Sequence, residues 1–125
     1  MKKIEPYLPA DKQEILYVGD PMCSWCWGIA PALIRFRDYC MGLNINFRVF
    51  VGGLSSGGNV RWDDSFKETL RRHWSQVAKR TGQKFNHELL SCHFFDYNTQ
   101  PSCRAVVVAR TLDQPCELDF LVAIQ

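Results

Sequence analysis

The sequence predicts an α/β fold built on one βαβ unit, and three observations predict it. The run Glu14–Gly19 is apolar and β-prone and is followed by a Gly-Asp-Pro turn, which is typical of a buried strand. Apolar residues then recur at helical spacing from Ile29 to Tyr39, and Gly42 closes that helix. Asn44–Val51 alternates polar and apolar residues before becoming wholly apolar, which favours a second strand. Two strands joined by a helix should lie parallel with a right-handed crossover.

The second half of the chain predicts helices. Asp63 or Asp64 can cap a helix that starts near Ser65 and ends at Thr81–Gly82. A shorter helix is predicted over residues 86–93, a buried one from Pro101, and a further apolar stretch over residues 117–125. The predicted boundaries are therefore 1–60 for the βαβ unit and 61–125 for an incomplete helical region.

Composition excludes several classes of protein. The 125 residues are 46% hydrophobic and 22% charged, which are ordinary globular values for one domain with a modest core. A net charge of +2 is too small to predict a nucleic-acid partner or an anionic membrane surface. No apolar run approaches the roughly 20 residues that span a bilayer, and residues 11–14 are polar where a signal peptide would be apolar. We expect a cytoplasmic protein with neither a nucleic-acid nor a membrane partner.

Two of the six cysteines stand apart from the rest. Cys40, Cys92, Cys103 and Cys116 have irregular spacing and are predicted to be buried or half-buried free thiols. Cys23 and Cys26 form a Cys-x-x-Cys pair between the first predicted strand and the helix. This context favours a redox pair over half of a zinc site, because no second close pair of ligands is present.

Disulfide exchange needs a thiolate as nucleophile and a second thiol nearby. The helix is predicted from Trp27, so its N-terminus should stabilise a thiolate on Cys23, and Cys26 should resolve the mixed disulfide. Ser24 and Trp25 are expected to tune Cys23, and Trp25 and Trp27 to form an apolar surface beside its sulfur. We expect the two thiols to perform this chemistry without a cofactor or a metal.

Asp20 precedes Cys23 by three residues and allows two interpretations. Its carboxylate could disfavour the Cys23 thiolate or relay a proton, or it could serve the turn with Pro21; we favour the turn. The glycine-rich run 52–59 lacks the Lys-Ser/Thr ending of a phosphate-binding loop and is predicted to be a connector or a mobile flank of the active site.

Residues 17–31, which read YVGDPMCSWCWGIAP, resemble the active-site segment of DsbA-like proteins of the thioredoxin superfamily. The likeness is to the cytoplasmic branch that includes FrnE-like proteins and relatives of 2-hydroxychromene-2-carboxylate isomerase. Residues 52–54, 73–82 and 101–105 are also similar to that branch. The resemblance implies a thioredoxin fold with an α-helical insertion. It further implies a thiol–disulfide oxidoreductase or protein disulfide isomerase acting on protein or peptide thiols and disulfides, with glutathione as a further candidate.

The same resemblance implies a C-terminal ββα half that begins with a cis-proline, and this chain stops before it. We therefore expect a C-terminally truncated chain, either a fragment or a protein whose fold is completed in a homodimer. Two alternatives to an active oxidoreductase stay open: a catalytically weak or silent interaction module, and a glutathione-dependent isomerase. Two cysteines argue against the isomerase, whose members are expected to carry a single serine.

Overall fold

The computed structural model describes residues 13–125, and its elements follow the predicted order. The bounds are β1 Glu14–Gly19, α1 Ser24–Gly42, β2 Asn46–Val51, α2 Asp64–Thr81, α3 Gln100–Leu112 and α4 Glu117–Ile124, with 3-10 turns at His87–Ser91 and Gln114–Cys116. β1 and β2 pair in parallel, with Glu14 opposite Asn46 and Gly19 opposite Val51. The predicted βαβ unit is confirmed. The prediction that the N-terminus is not a signal peptide rests mainly on residues 1–12, which lie outside the described residues.

The helix α1 begins three residues earlier than predicted. Cys23 adopts an extended backbone (φ −82°, ψ 117°) at the N-cap, and the Trp27 N–H donates to the Cys23 carbonyl at 3.1 Å. Cys26 therefore lies in the first helical turn, and Pro31 lies in the helix interior. Since Pro31 has no N–H, the Trp27 carbonyl lacks its usual helical donor. The Gln83 amide donates to that carbonyl instead, at 3.0 Å.

Turn chemistry sets the other boundaries. The Asp63 carboxylate accepts from the Phe66 N–H at 2.9 Å, and Gly82 ends α2 in the left-handed conformation with φ 79°, as predicted. β2 begins two residues later than predicted because Asn44 has a positive φ of 56° in the preceding turn. The helix predicted over residues 86–93 is a single 3-10 turn capped by Asn86.

Two apolar clusters hold the elements together. In the first, α3 and α4 pack on β2 through the buried residues Val49, Val106, Leu118 and Leu121. The second joins α2 to the segment before α3. Its buried members are Leu70, Leu90 and Tyr97, with Met22, Val60, Trp62, Phe66, Trp74 and Phe95 packed around them. Because Met22 belongs to this cluster, the segment that carries Cys23 packs against the second cluster.

Side chains from α3 and α4 occupy the edge of β2. The Val49 N–H donates to Glu117 Oε1 at 2.9 Å, and Arg110 Nη1 donates to the Val49 carbonyl at 3.1 Å. Glu117 is 3% exposed, so this bond is made away from water. The guanidinium of Arg37 on α1 donates to both carboxylate oxygens of Asp119 on α4: Nη1 to Oδ2 at 3.1 Å and Nη2 to Oδ1 at 2.8 Å. These polar contacts fix α4 to both β2 and α1.

We expect Gly28→Ala to destabilise the protein, because α1 and α2 approach closely there. A Cβ on the buried Gly28 would lie 2.6 Å from Val77 Cγ1 and 3.0 Å from Thr81 Cγ2. Overpacking of this kind lowers the free energy of unfolding by about 1–3 kcal/mol, measurable by urea unfolding. Gly42→Ala is the matched control, since nothing lies within 4 Å of its added Cβ. Equal stabilities for the two variants would contradict the close approach.

Within residues 13–125, no helix is both long enough and apolar enough to cross a lipid bilayer.

Candidate active site

The turn between β1 and α1 is held by hydrogen bonds to Asp20. The Met22 N–H donates to Asp20 Oδ1 at 2.8 Å, and the Cys23 N–H donates to the Asp20 carbonyl at 3.1 Å. Such a turn fixes the backbone of Cys23 where the helix starts. The Cys23 sulfur is therefore carried by a rigid segment.

Asp20 also joins the Cys23 turn to two other segments. It is 4% exposed, and its Oδ2 accepts from the Leu54 N–H at 2.8 Å and from the Cys103 thiol at 3.3 Å. Burial and the nearby Asp20 carboxylate both raise the pKa of Cys103. Cys103 is thus a buried structural thiol that donates to Asp20. The loop 52–59 is likewise anchored, because Ser55 and Thr99 exchange two hydrogen bonds of 3.1 Å.

Cys23 and Cys26 are both free thiols, each half-buried, and each shifts the pKa of the other. The Cys23 thiol donates to the Cys26 sulfur, which lowers the pKa of Cys26 to about 6 and raises that of Cys23. This interaction favours the thiolate on Cys26 in the dithiol, whereas the sequence predicted the more acidic thiol at Cys23. Because the two sulfurs hold one proton between them, this first ionisation belongs to the pair.

Backbone groups at the helix start face Cys23. The N–H groups of Cys26 and Trp25 lower the pKa of the Cys23 thiol, but they do not outweigh the hydrogen bond to Cys26 and burial. Neither N–H completes a capping hydrogen bond to the Cys23 side chain. The N-terminal stabilisation expected from sequence is thus present but weak in the dithiol state.

A groove of about 700 Å³ opens beside Cys23. Cys23 is among the residues that line it, and Cys26 is not. The aromatic part of its wall consists of Trp27, Trp74, Phe85, Phe95 and Tyr97, and the charged part consists of Lys84 and Glu88. Within the pair, the sulfur next to this groove is that of Cys23.

Trp27 positions one wall of the groove. Its indole N–H donates to the Lys84 carbonyl at 2.9 Å, and its own carbonyl accepts from Gln83 at 3.0 Å. The second bond is available because Pro31 leaves that carbonyl without a helical donor. The segment after α2 is consequently attached to the start of α1, next to Cys23.

The structure separates the sequence-predicted site residues into three groups. Pro21, Ser24 and Trp27 line the groove with Cys23, and Asp20 lies buried beneath the turn. Trp25 is 47% exposed and is not part of the groove wall. The predicted shared apolar surface of Trp25 and Trp27 is therefore wrong. Residues 25 and 27 are two positions apart on α1 and face roughly opposite sides of the helix.

Sequence reasoning missed one polar group beside the cysteines and one thiol. The Tyr17 side chain on β1 faces Cys26, and burial together with this contact raises the pKa of the Tyr17 hydroxyl. Cys92 was expected to be at least half-buried, but it is exposed and lines the groove. No local motif marks either residue, because each reaches the site through the tertiary fold. Among the described residues, no group of three or more His, Cys, Asp or Glu side chains is arranged to hold a metal ion.

The chain resembles solved structures, including the following two. One is a candidate protein disulfide isomerase from Nitrosomonas europaea, with 33% identity, a TM-score of 0.78 and coverage of 91% of this chain and 53% of that one. The other is the cytosolic disulfide reductase DsbM from Pseudomonas aeruginosa, solved with GSH, with 27% identity, a TM-score of 0.67 and coverage of 87% and 52%. No protein-family model and no curated protein matches the chain.

The chain thus spans about half the length of the solved structures that it matches. Over that half, the βαβ order and the parallel pair of strands are shared, and a Cys-x-x-Cys pair lies at the start of α1. The resemblance predicted from sequence is therefore confirmed: the chain is similar to about half of a DsbA-like thioredoxin-fold protein.

Proposed function

We propose that the chain carries the redox pair of a thiol–disulfide oxidoreductase, with Cys23 as nucleophile and Cys26 as resolving thiol. The observation that carries this assignment is the position of the two sulfurs relative to the groove: Cys23 lines it, and Cys26 does not. A substrate disulfide in the groove would therefore meet Cys23. Cys26 follows one helical turn later, within reach of the Cys23 sulfur.

The exchange proceeds in two balanced steps. In the first, the proton between the two thiols shifts to Cys26, the Cys23 thiolate attacks one sulfur of the substrate, and a substrate thiolate leaves. In the second, the Cys26 thiolate attacks the Cys23 sulfur and the other substrate thiolate leaves. The pair ends as a disulfide and the substrate disulfide ends as two thiols. The proton that the pair lost to water on its first ionisation and the proton that Cys26 releases before its attack are balanced by protonation of the two departing thiolates.

The groove favours peptide-like substrates. Its wall is largely aromatic, which suits an apolar side chain beside the substrate cysteine, and Lys84 supplies a cation that can meet a carboxylate. Glutathione is a tripeptide with two carboxylates and one thiol, so it fits the same chemistry. The DsbM relative was solved with GSH, which supports glutathione as one partner.

The direction of exchange follows from the compartment. DsbM is described as a cytosolic reductase, and a cytoplasmic location for this chain would place the pair in a reducing glutathione pool. The pair would then rest as a dithiol and act as a reductase or an isomerase, with protein disulfides as the physiological substrate.

A glutathione redox titration followed by intact mass tests this proposal. We expect a reversible loss of two hydrogens at the pair, with Cys23 and Cys26 identified in one disulfide-linked peptide. The Cys92→Ser variant is the control, because Cys92 is the exposed thiol in the same groove and should not be needed. A pair that stays reduced across the titration, or a disulfide that includes Cys92, would contradict the assignment.

A further inference from the structure

We propose that Tyr17 is a positioning residue whose hydroxyl stabilises the Cys26 thiolate while Cys26 resolves the mixed disulfide. This inference rests on the proposed function, since it assigns a role within the second step. Tyr17 belongs to β1 and lies six residues before Cys23, outside the Cys-x-x-Cys motif.

The Tyr17 ring is fixed over the end of its own strand. A Cβ added to Gly19 would lie 2.6 Å from both the Cε1 and the hydroxyl oxygen of Tyr17. Only a glycine at position 19 leaves room for the ring in this place. The ring is therefore held against the backbone just before the active-site turn, with its hydroxyl directed at the cysteine pair.

The Tyr17 hydroxyl is buried and completes no hydrogen bond of good geometry in the described structure. The nearby Cys26 thiol raises the pKa of the Tyr17 hydroxyl, and the hydroxyl lowers the pKa of Cys26, so the two groups interact although they complete no hydrogen bond of good geometry. Tyr97, a buried tyrosine at the site, donates its hydroxyl to the Met22 carbonyl. A buried hydroxyl without a good partner is unfavourable, so its presence at a reactive sulfur indicates a role that the dithiol state does not satisfy.

In the mixed disulfide, the Tyr17 hydroxyl would have a thiolate on Cys26 to donate to. In the dithiol, the hydrogen bond from the Cys23 thiol contributes most to lowering the pKa of Cys26, and that from Tyr17 contributes less. Once Cys23 is bonded to substrate it has no proton to donate. Tyr17 is then the remaining side-chain donor among the groups that shift the Cys26 pKa, and the Asp20 carboxylate opposes the thiolate. Burial raises the pKa of Tyr17, so its hydroxyl keeps its proton throughout the working range.

An aromatic disulfide that releases a coloured thiolate separates the two steps. The first release reports the attack of Cys23, and the second reports the attack of Cys26 on the mixed disulfide. The background is Cys92→Ser with Cys116→Ser, which removes the exposed and half-buried thiols outside the pair. In this background Tyr17→Phe should leave the rate of the first release within about two-fold. It should slow the second release by about ten-fold near neutral pH, as expected for one lost hydrogen bond to a charged group.

The pH profile distinguishes this role from packing. Loss of a donor to the thiolate raises the Cys26 pKa, so the profile of the second release should shift upward by about one pH unit. The rates of the variant and the parent should converge at high pH, where Cys26 ionises without help. The facing titratable groups on the described residues are Tyr17, Asp20 and Cys23. Tyr39→Phe, at an exposed position on α1, should leave both releases unchanged.

Each outcome decides one question. An unshifted profile for the second release of Tyr17→Phe, with an unchanged thermal melt, would overturn the role of Tyr17 and leave the exchange mechanism standing. Absence of a second release from the parent protein would instead overturn the proposed function. Equal slowing at all pH values would show that the ring packs the site without stabilising the thiolate, and would also overturn the inference.

Discussion

Cys26→Ser should trap a mixed disulfide on Cys23, whereas Cys23→Ser should abolish exchange at the first step. The reason is the asymmetry of the groove, which Cys23 lines and Cys26 does not. Without Cys26, an external thiol must release the substrate, and loss of the intramolecular attack should slow release by roughly a thousand-fold or more. Without Cys23, Cys92 is the remaining thiol among the described residues that line the groove.

The measurement is intact mass after a short reaction with oxidised glutathione, followed by peptide mapping of the adduct. Both variants are made in the Cys92→Ser background, because an exposed thiol in the groove would form adducts of its own. We expect one glutathione on Cys23 of the Cys26→Ser variant and none on the Cys23→Ser variant. A stable adduct on Cys26 in the Cys23→Ser variant would reverse the two roles. The low pKa of Cys26, about 6, makes this outcome a real alternative.

The parts of the fold that sequence predicts are those with local signals. β1 and the end of α2 are where they were expected, because Gly19 ends an apolar run and Gly82 takes a left-handed conformation. Asp63 caps α2, one of two aspartates that the sequence allowed. Cys23 lies at the N-cap of α1 and Cys26 in its first turn, at the junction of strand and helix where the pair was expected. Each of these features depends on a few neighbouring residues.

The parts that sequence could not predict depend on contacts between distant residues. The groove wall near Lys84 is attached to Trp27 by two hydrogen bonds that span more than fifty positions of the chain. The sequence predicts Trp25 and Trp27 on one surface beside the Cys23 sulfur, with a helix from Trp27. The observed start at Ser24 turns the two indoles apart. The contact between Tyr17 and Cys26 depends on how the strand meets the helix, which no motif encodes.

Glu117→Ala should have the largest effect on stability of the substitutions considered. Glu117 is 3% exposed, accepts the Val49 N–H at 2.9 Å and lies 3.9 Å from both Arg48 and Arg110. Its removal leaves a buried backbone N–H unpaired and two half-buried arginines without their shared carboxylate. We expect the free energy of unfolding to fall by about 3 kcal/mol, measured by urea unfolding. Glu68→Ala, which removes an exposed ion pair with Arg71, should change it by less than about 0.5 kcal/mol.

Glu117→Gln separates the contribution of the hydrogen bond to Val49 from that of the charge facing the two arginines. The amide oxygen can still accept from the Val49 N–H, but it carries no charge for Arg48 and Arg110. The geometry favours the hydrogen bond as the larger contribution, because both ion pairs are long and Oε2 has no hydrogen-bond partner. Glu117→Gln should therefore be clearly more stable than Glu117→Ala. Equal losses for the two variants would assign the stability to charge. Since Glu117 does not line the groove, exchange by the folded fraction should keep its rate, so stability and chemistry can be separated in this chain.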